Sequence, residues 1–88
     1  MDIYKTYNKQ RCITFLISLL DPLLINSKYL IINYLLNNYK DELIIKLVLL
    51  LKTNNNLYLE YDKIFNIIIN NNELCNFILK MSDKIYSY

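Results

Sequence analysis

The chain has 88 residues, of which 55% are hydrophobic, and its ten basic and eight acidic side chains give a formal net charge of +2. A chain of this length forms one domain, and no block of like charge provides the clustered basic footprint of a dedicated nucleic-acid binder. Histidine and glycine are both absent, which removes the commonest general base and zinc ligand and any glycine-rich phosphate loop. We therefore expect no enzymatic activity, no cofactor and no metal site.

Turn residues are scarce in this sequence, which bears on the fold class. The chain has one proline and no glycine, whereas a β-meander or β-sandwich normally uses both at its turns. Asparagine-rich stretches, such as residues 54–56 and 70–72, separate the apolar segments instead. We predict an all-α fold.

Hydrophobic periodicity predicts six helices in chain order. The first helix, at residues 3–17, has Asp2 as its N-cap and carries Lys5, Lys9 and Arg11 on its polar side. Asp21 and Pro22 are typical of a helix start, and the polar residues 26–28 indicate a turn soon afterwards. The six predicted helices cover residues 3–17, 21–27, 30–37, 41–52, 57–69 and 73–81, so the domain spans residues 1–82 and a frayed C-terminal tail covers 83–88.

Residues 41–52 are apolar on nearly every face of the predicted helix, after a start at Asp41 and Glu42, where negative charge is favourable. A helix with this pattern is normally packed by neighbours on several sides. We predict that it is the central helix, wrapped by the five shorter ones.

Two further features concern the environment of the chain. The apolar stretches at residues 13–20 and 43–51 are shorter than the ~18 residues that a membrane span requires, so we expect no membrane span and a cytoplasmic location. Cys12 and Cys75 lie in apolar helical patterns and form no CxxC pair. We expect both to be buried, reduced thiols.

The second half of the chain resembles the caspase recruitment domain of the death-fold superfamily. In residues 47–81, LVLLLKTNNNLYLEYDKIFNIIINNNELCNFILKM, an apolar helix ends in Leu-Leu, and a polar loop, an aromatic-rich helix and a last helix of the form L-x-x-x-L follow. Asp21 with Leu23 and Leu24 is similar to the D-x-L-L pattern of the family's second helix, and Arg11 resembles its basic residue in helix 1. The resemblance implies a six-helix antiparallel bundle with Greek-key topology.

The same resemblance implies homotypic binding to other death-fold domains. Members of this family bind through a basic face that meets an acidic face on the partner. In this chain Asp21 is nearly the only residue of the acidic face. The basic face comprises Lys5, Lys9, Arg11 and Lys46. A domain with one docking face can cap an assembly without extending it. We therefore expect the domain to act as a decoy. We also expect its gene to belong to an AT-rich genome, such as that of a large DNA virus. The decoy would bind a host adaptor or caspase prodomain in the cytoplasm and inhibit apoptotic, inflammasome or innate immune signalling.

Other classes remain open at this point. A pyrin, death-effector or Bcl-2-like domain would also be small and helical, and a helix-turn-helix DNA binder would show a steep salt dependence of duplex binding. An obligate homo-oligomer is a further alternative, because nine tyrosines suit a contact surface.

Overall fold

Helices form the secondary structure throughout residues 3–53 and 57–86, which are the residues that the computed structural model describes. No strand occurs among them, so the all-α prediction is confirmed. Two short 3₁₀ helices precede α2 and α4, at Pro22–Leu24 and Leu57–Glu60. The α-helices are α1 (Ile3–Ser18), α2 (Ile25–Asn38), α3 (Glu42–Lys52), α4 (Tyr61–Ile69) and α5 (Asn72–Tyr86).

Side-chain caps fix three of the helix starts. Asp21, Asp41 and Asn71 each accept a hydrogen bond, 3.0 Å long, from a backbone amide two or three residues further along the chain. Such caps satisfy amides of the first turn that have no partner within the helix. The predicted starts at residues 21 and 41 are therefore confirmed, whereas the predicted cap Asp2 and the connection at residues 54–56 lie outside the described residues.

The predicted turn at residues 26–28 is wrong. The first 3₁₀ helix leads directly into α2, which continues through these residues to Asn38. Asparagine and serine lower helix stability by only a few tenths of a kcal/mol each, and the burial of Ile31, Ile32 and Leu35 on the same helix outweighs this cost. The predicted second and third helices are thus one continuous segment, and the described residues form five α-helices rather than six.

The central position belongs to α1 and not to the helix at residues 41–52. Helix α1 packs against α4, α5 and the second 3₁₀ helix, whereas α3 packs mainly against α2 and α4. On α3, Leu47 and Leu51 face the core, but Leu49 is 54% exposed. The prediction of a wrapped helix at residues 41–52 is therefore wrong. Among the side chains of residues 6–18 of α1, the buried ones are Lys9, Cys12, Ile13, Phe15, Leu16 and Ile17.

The end of the chain is helical for longer than predicted. Helix α5 continues to Tyr86, so residues 83–86 of the predicted tail belong to it. The Tyr86 ring lies edge-on to Phe15 of α1 with ring centroids 6.3 Å apart, and Asp83 forms an ion pair with Arg11. These contacts attach the last turns of α5 to α1.

Membrane-spanning potential was a separate expectation. Within residues 3–53 and 57–86, no single helix is both long and apolar enough to cross a membrane; one pair, Thr6–Ser18 with Pro22–Asn38, meets the test only jointly and is bent by 104°.

The different burial of α1 and α3 gives a first prediction. We expect Leu16→Ala to lower the free energy of unfolding by about 3 kcal/mol, because the side chain is fully buried and its loss leaves a cavity. The matched change Leu49→Ala, on the exposed side of α3, should cost less than about 1 kcal/mol. Urea unfolding followed by circular dichroism at low protein concentration measures both. If Leu49→Ala lowered the free energy of unfolding more than Leu16→Ala does, the helix at residues 41–52 would be the central one.

Candidate interaction surfaces

Lys9 was predicted to lie on an exposed basic face, and the structure shows that this is wrong. The residue is only 3% exposed. Its ammonium donates hydrogen bonds to the carbonyl oxygen of Ile68 and the Oδ1 atom of Asn72, both at 3.0 Å, and to the carbonyl oxygen of Ile69. A side chain in this position cannot contact a partner domain.

The end of α4 explains why an ammonium group is buried here. The last carbonyl groups of a helix lack partners within the helix and carry partial negative charge, and Lys9 supplies donors to two of them. Lys9 also precedes Cys12, Ile13 and Leu16 by three, four and seven residues, which is the spacing of one helix face. That spacing was the available signal that Lys9 faces the core.

Arg11 is half-exposed and lies between α1 and α5. Its guanidinium is 2.9 Å from the carboxylate of Asp83 and 6.0 Å from the ring centroid of Tyr7. An open groove of about 460 Å³ runs beside it; the lining residues are Tyr7, Gln10, Arg11, Thr14, Phe15, Ser18, Ser82 and Tyr86. The ion pair is solvent-exposed, so it contributes at most ~1 kcal/mol and leaves the guanidinium free to exchange partners.

Lys46 and Asp21 are not part of that groove. Lys46 is exposed and lines a different groove of about 300 Å³, between α3 and the start of α4. Asp21 is exposed, and its carboxylate accepts a hydrogen bond from the backbone amide of Leu23. The side chain of Lys5 lies outside the described residues. Arg11 and Lys46 are therefore the exposed members of the predicted basic face in the part of the chain that the structure describes, and they line separate grooves.

An apolar surface on α2 and α3 was not predicted. Of the thirteen large hydrophobic side chains that are exposed among the described residues, seven lie on these two helices, whereas α1, α4 and α5 carry one each. Each of the seven is between 43% and 58% exposed. We call this set the α2–α3 apolar surface; its members are Ile25, Tyr29, Leu30, Leu36, Leu43, Ile45 and Leu49.

The packing of α2 and α3 explains why this surface exists. Each helix turns one stripe toward the core, for example Ile44, Leu47 and Leu51 on α3, and no other element of residues 3–53 and 57–86 covers its outer side. Because α3 carries more apolar residues than one stripe accommodates, the surplus faces outward. This apolar surplus was the sequence signal for the exposed surface, although the same pattern also predicts a helix that is buried on all sides.

The two thiols lie together between α1 and α5. Cys12 and Cys75 are both free and buried, as predicted from their apolar surroundings, and the Cys75 thiol points to the carbonyl oxygen of Asn8 at 3.8 Å. Burial, reinforced by the adjacent Cys75, raises the pKa of the Cys12 thiol well above its usual range, and the smaller opposing effect of Lys9 does not reverse this. Cys12 is therefore a neutral core residue and a poor nucleophile.

Two further findings concern metal binding and similarity to known proteins. Among residues 3–53 and 57–86, no group of three or more histidine, cysteine, aspartate or glutamate side chains is placed to hold a metal ion. Comparison with protein-family models, curated proteins and solved structures finds no significant match for this chain. The resemblance to the caspase recruitment domain thus depends on the residue pattern alone.

Lys9 gives a second prediction. We expect Lys9→Met, which keeps most of the side-chain volume, to lower the free energy of unfolding by about 2–3 kcal/mol, because the Ile69 carbonyl and the Asn72 side chain lose a charged donor. The Ile68 carbonyl keeps its hydrogen bond from the Asn71 amide. As a control, Lys63→Met removes an exposed lysine that pairs with Glu60 at 3.1 Å and should cost less than about 0.5 kcal/mol. Chemical denaturation measures both. Equal stabilities of the two variants would mean that the Lys9 ammonium is in solvent.

Cys12 gives a third prediction, on alkaline pH. Its thiol stays protonated in the folded state, because burial raises its pKa, whereas the same thiol in the unfolded chain ionises above its ordinary pKa of 9.0. Above that pH the unfolded state binds fewer protons, so the free energy of unfolding falls by up to ~1.4 kcal/mol per pH unit as the pH rises.

Denaturation at a series of pH values checks this slope. In Cys12→Ala the contribution of this thiol is lost, so the curve should be flatter than that of the wild type over the same pH range. Tyr39, whose pKa burial also raises, contributes only above about pH 10. Parallel curves for the wild type and Cys12→Ala would contradict the prediction.

Proposed function

We propose that this chain is a protein-interaction domain that binds another helical domain through the α2–α3 apolar surface. The observation that supports this proposal most directly is the concentration of half-exposed large hydrophobic side chains on two adjacent helices. Large exposed apolar patches commonly mark binding sites, and the exposed apolar side chains of two helices that pack on each other are the candidates for such a patch here.

The surroundings of this surface agree with the anatomy of a binding interface. Polar residues lie beside the apolar ones, among them the exposed side chains of Asn26, Asn33 and Lys46. An apolar centre with a polar rim is the usual arrangement at protein–protein interfaces. Side chains of this kind release water on contact, which supplies the affinity, while the rim determines orientation.

The narrower form of the proposal is homotypic binding to a host death-fold domain. The all-α fold of a chain of this length supports it, as do the half-exposed Arg11 and the exposed Lys46. The five-helix count and the peripheral position of α3 separate this chain from the family pattern, and Lys9 of the predicted basic face is buried. According to this narrower proposal, the domain is a decoy in the host cytoplasm. It binds an adaptor or a caspase prodomain and thereby inhibits signalling by that protein.

A binding panel tests the proposal. The purified domain is titrated against purified caspase recruitment, death, death-effector and pyrin domains by biolayer interferometry. We expect at least one of them to bind, and Leu36→Asp to weaken that binding at least about tenfold, because a charge then replaces an apolar contact. The control Leu59→Asp places the same charge on a leucine that is 82% exposed outside the α2–α3 apolar surface, and it should leave affinity unchanged.

Different outcomes contradict different parts of the proposal. Binding that is insensitive to Leu36→Asp would show that another surface is used. If no death-fold domain binds, the narrower form is wrong. If a domain binds equally to the wild type and to the double variant Arg11→Glu with Lys46→Glu, the basic residues have no role in docking.

A further inference from the structure

Four exposed residues of α3 form a stripe along its outer side. Glu42, Ile45, Leu49 and Lys52 are spaced by three, four and three residues, and at 3.6 residues per turn they lie within roughly a quarter of the helix circumference. All four are exposed, whereas Ile44, Leu47, Val48 and Leu51 face the core. This alternating spacing is the one that lets two helices pack along a common seam.

The stripe matches itself when the helix is reversed. Its acidic end, Glu42, and its basic end, Lys52, are equally distant from position 47, and so are Ile45 and Leu49. An antiparallel second copy of α3 therefore places Ile45 opposite Leu49 and Glu42 opposite Lys52, and a two-fold axis makes each contact twice. The charged ends are about 15 Å apart along the helix, so both ion pairs form without distortion of the helix.

We infer that the domain forms a two-fold symmetric dimer in which α3 packs antiparallel against α3 of a second copy. This inference rests on the proposed function, because it names the occupant of the α2–α3 apolar surface. A parallel arrangement would place Glu42 against Glu42 and Lys52 against Lys52, so the charges select the antiparallel one.

Helix α2 can lie beside this seam without electrostatic cost. Lys28 is the single charged residue in its sequence, and it is buried. Tyr34, on one flank of α2, stacks on Phe77 of α5 with ring centroids 3.6 Å apart. Ile25, Tyr29 and Leu36 recur on the opposite flank at helical spacing, and they are the half-exposed apolar side chains of α2 that are available to extend the seam.

The available area indicates the strength of the dimer. A large apolar side chain has on the order of 150–200 Å² to bury. Ile45 and Leu49 on the seam and the half-exposed Ile25, Tyr29 and Leu36 of α2 therefore offer roughly 400 Å² per copy, since Leu30 and Leu43 lie on other sides of their helices. Stable complexes bury about 800 Å² per partner. We therefore expect a dissociation constant in the micromolar range, about 1 to 100 μM.

Sedimentation equilibrium from about 1 to 500 μM chain tests the dimer. We expect the wild type to pass from monomer to dimer within this range. Glu42→Lys and Lys52→Glu each place like charges at both ends of the seam, and each should raise the dissociation constant about tenfold or more. The matched control Lys80→Glu, an exposed lysine on α5, should have no effect.

Charge reversal in pairs separates this geometry from a general loss of stability. The double variant Glu42→Lys with Lys52→Glu should dimerise as the wild type does, because both ion pairs are restored in reverse. An equimolar mixture of the two single variants should form a heterodimer, although neither variant dimerises well by itself. Thermal unfolding of each variant verifies that the helices remain folded.

The outcomes that overturn the inference differ from those that overturn the proposed function. A wild type that stays monomeric across the concentration range removes the second copy as the occupant, while the panel titration still decides on other domains. A dimer that Leu49→Asp dissociates but the charge variants do not affect uses the proposed surface without the antiparallel α3 seam. A dimer that none of these substitutions weakens uses another surface, which contradicts the inferred dimer and leaves the proposed function to the panel titration.

Discussion

The contact of α1 with the junction of α4 and α5 determines the layout of the described domain. The Lys9 ammonium donates to two carbonyl groups at the end of α4 and to a side chain at the start of α5, so one residue of α1 satisfies polar groups from both neighbours. An ammonium group is costly to remove from water unless it is hydrogen-bonded, and α1 can place it there only while its apolar side lies between α4 and α5. The central position of α1 and the peripheral position of α2 and α3 are consequences of the same arrangement.

Several elements were predictable because they depend on local chemistry. Asp41 caps a helix wherever an apolar helical segment follows it, and Asn71 ends a polar interruption in the same way. The break expected at residues 26–28 depended on weak propensities, which tertiary burial overrides. Lys9 was assigned to the surface by residue type, although its spacing from Cys12, Ile13 and Leu16 is that of a core position. The carbonyl groups that receive its ammonium lie about sixty residues away in the chain, and no local pattern reveals such a partner.

The observed layout departs from the pattern on which the resemblance to the caspase recruitment domain depends. That resemblance depended on apolar spacing that any small helical bundle would satisfy, and on a fourth helix buried on all sides. The chain instead has one continuous segment where two helices were expected, and its most apolar helix faces solvent on one side. What remains is a helical domain with Arg11 and Lys46 on separate grooves. Recognition through a single basic face is accordingly a weaker explanation than recognition through an apolar surface.

The apolar excess of α3 shows why a site of this kind escapes sequence reasoning. A helix covered by its own chain and a helix covered by another molecule require the same composition, because the hydrophobic effect depends on the area removed from water and not on which chain removes it. The ends of the outer stripe carry the additional information. Glu42 and Lys52 would be costly to enclose within the domain without partners, yet both lie in line with Ile45 and Leu49 on the solvent side. The helix dipole already favours Glu42 in the first turn and Lys52 in the last turn of α3, and an antiparallel partner would in addition supply a complementary charge at each end of the apolar seam.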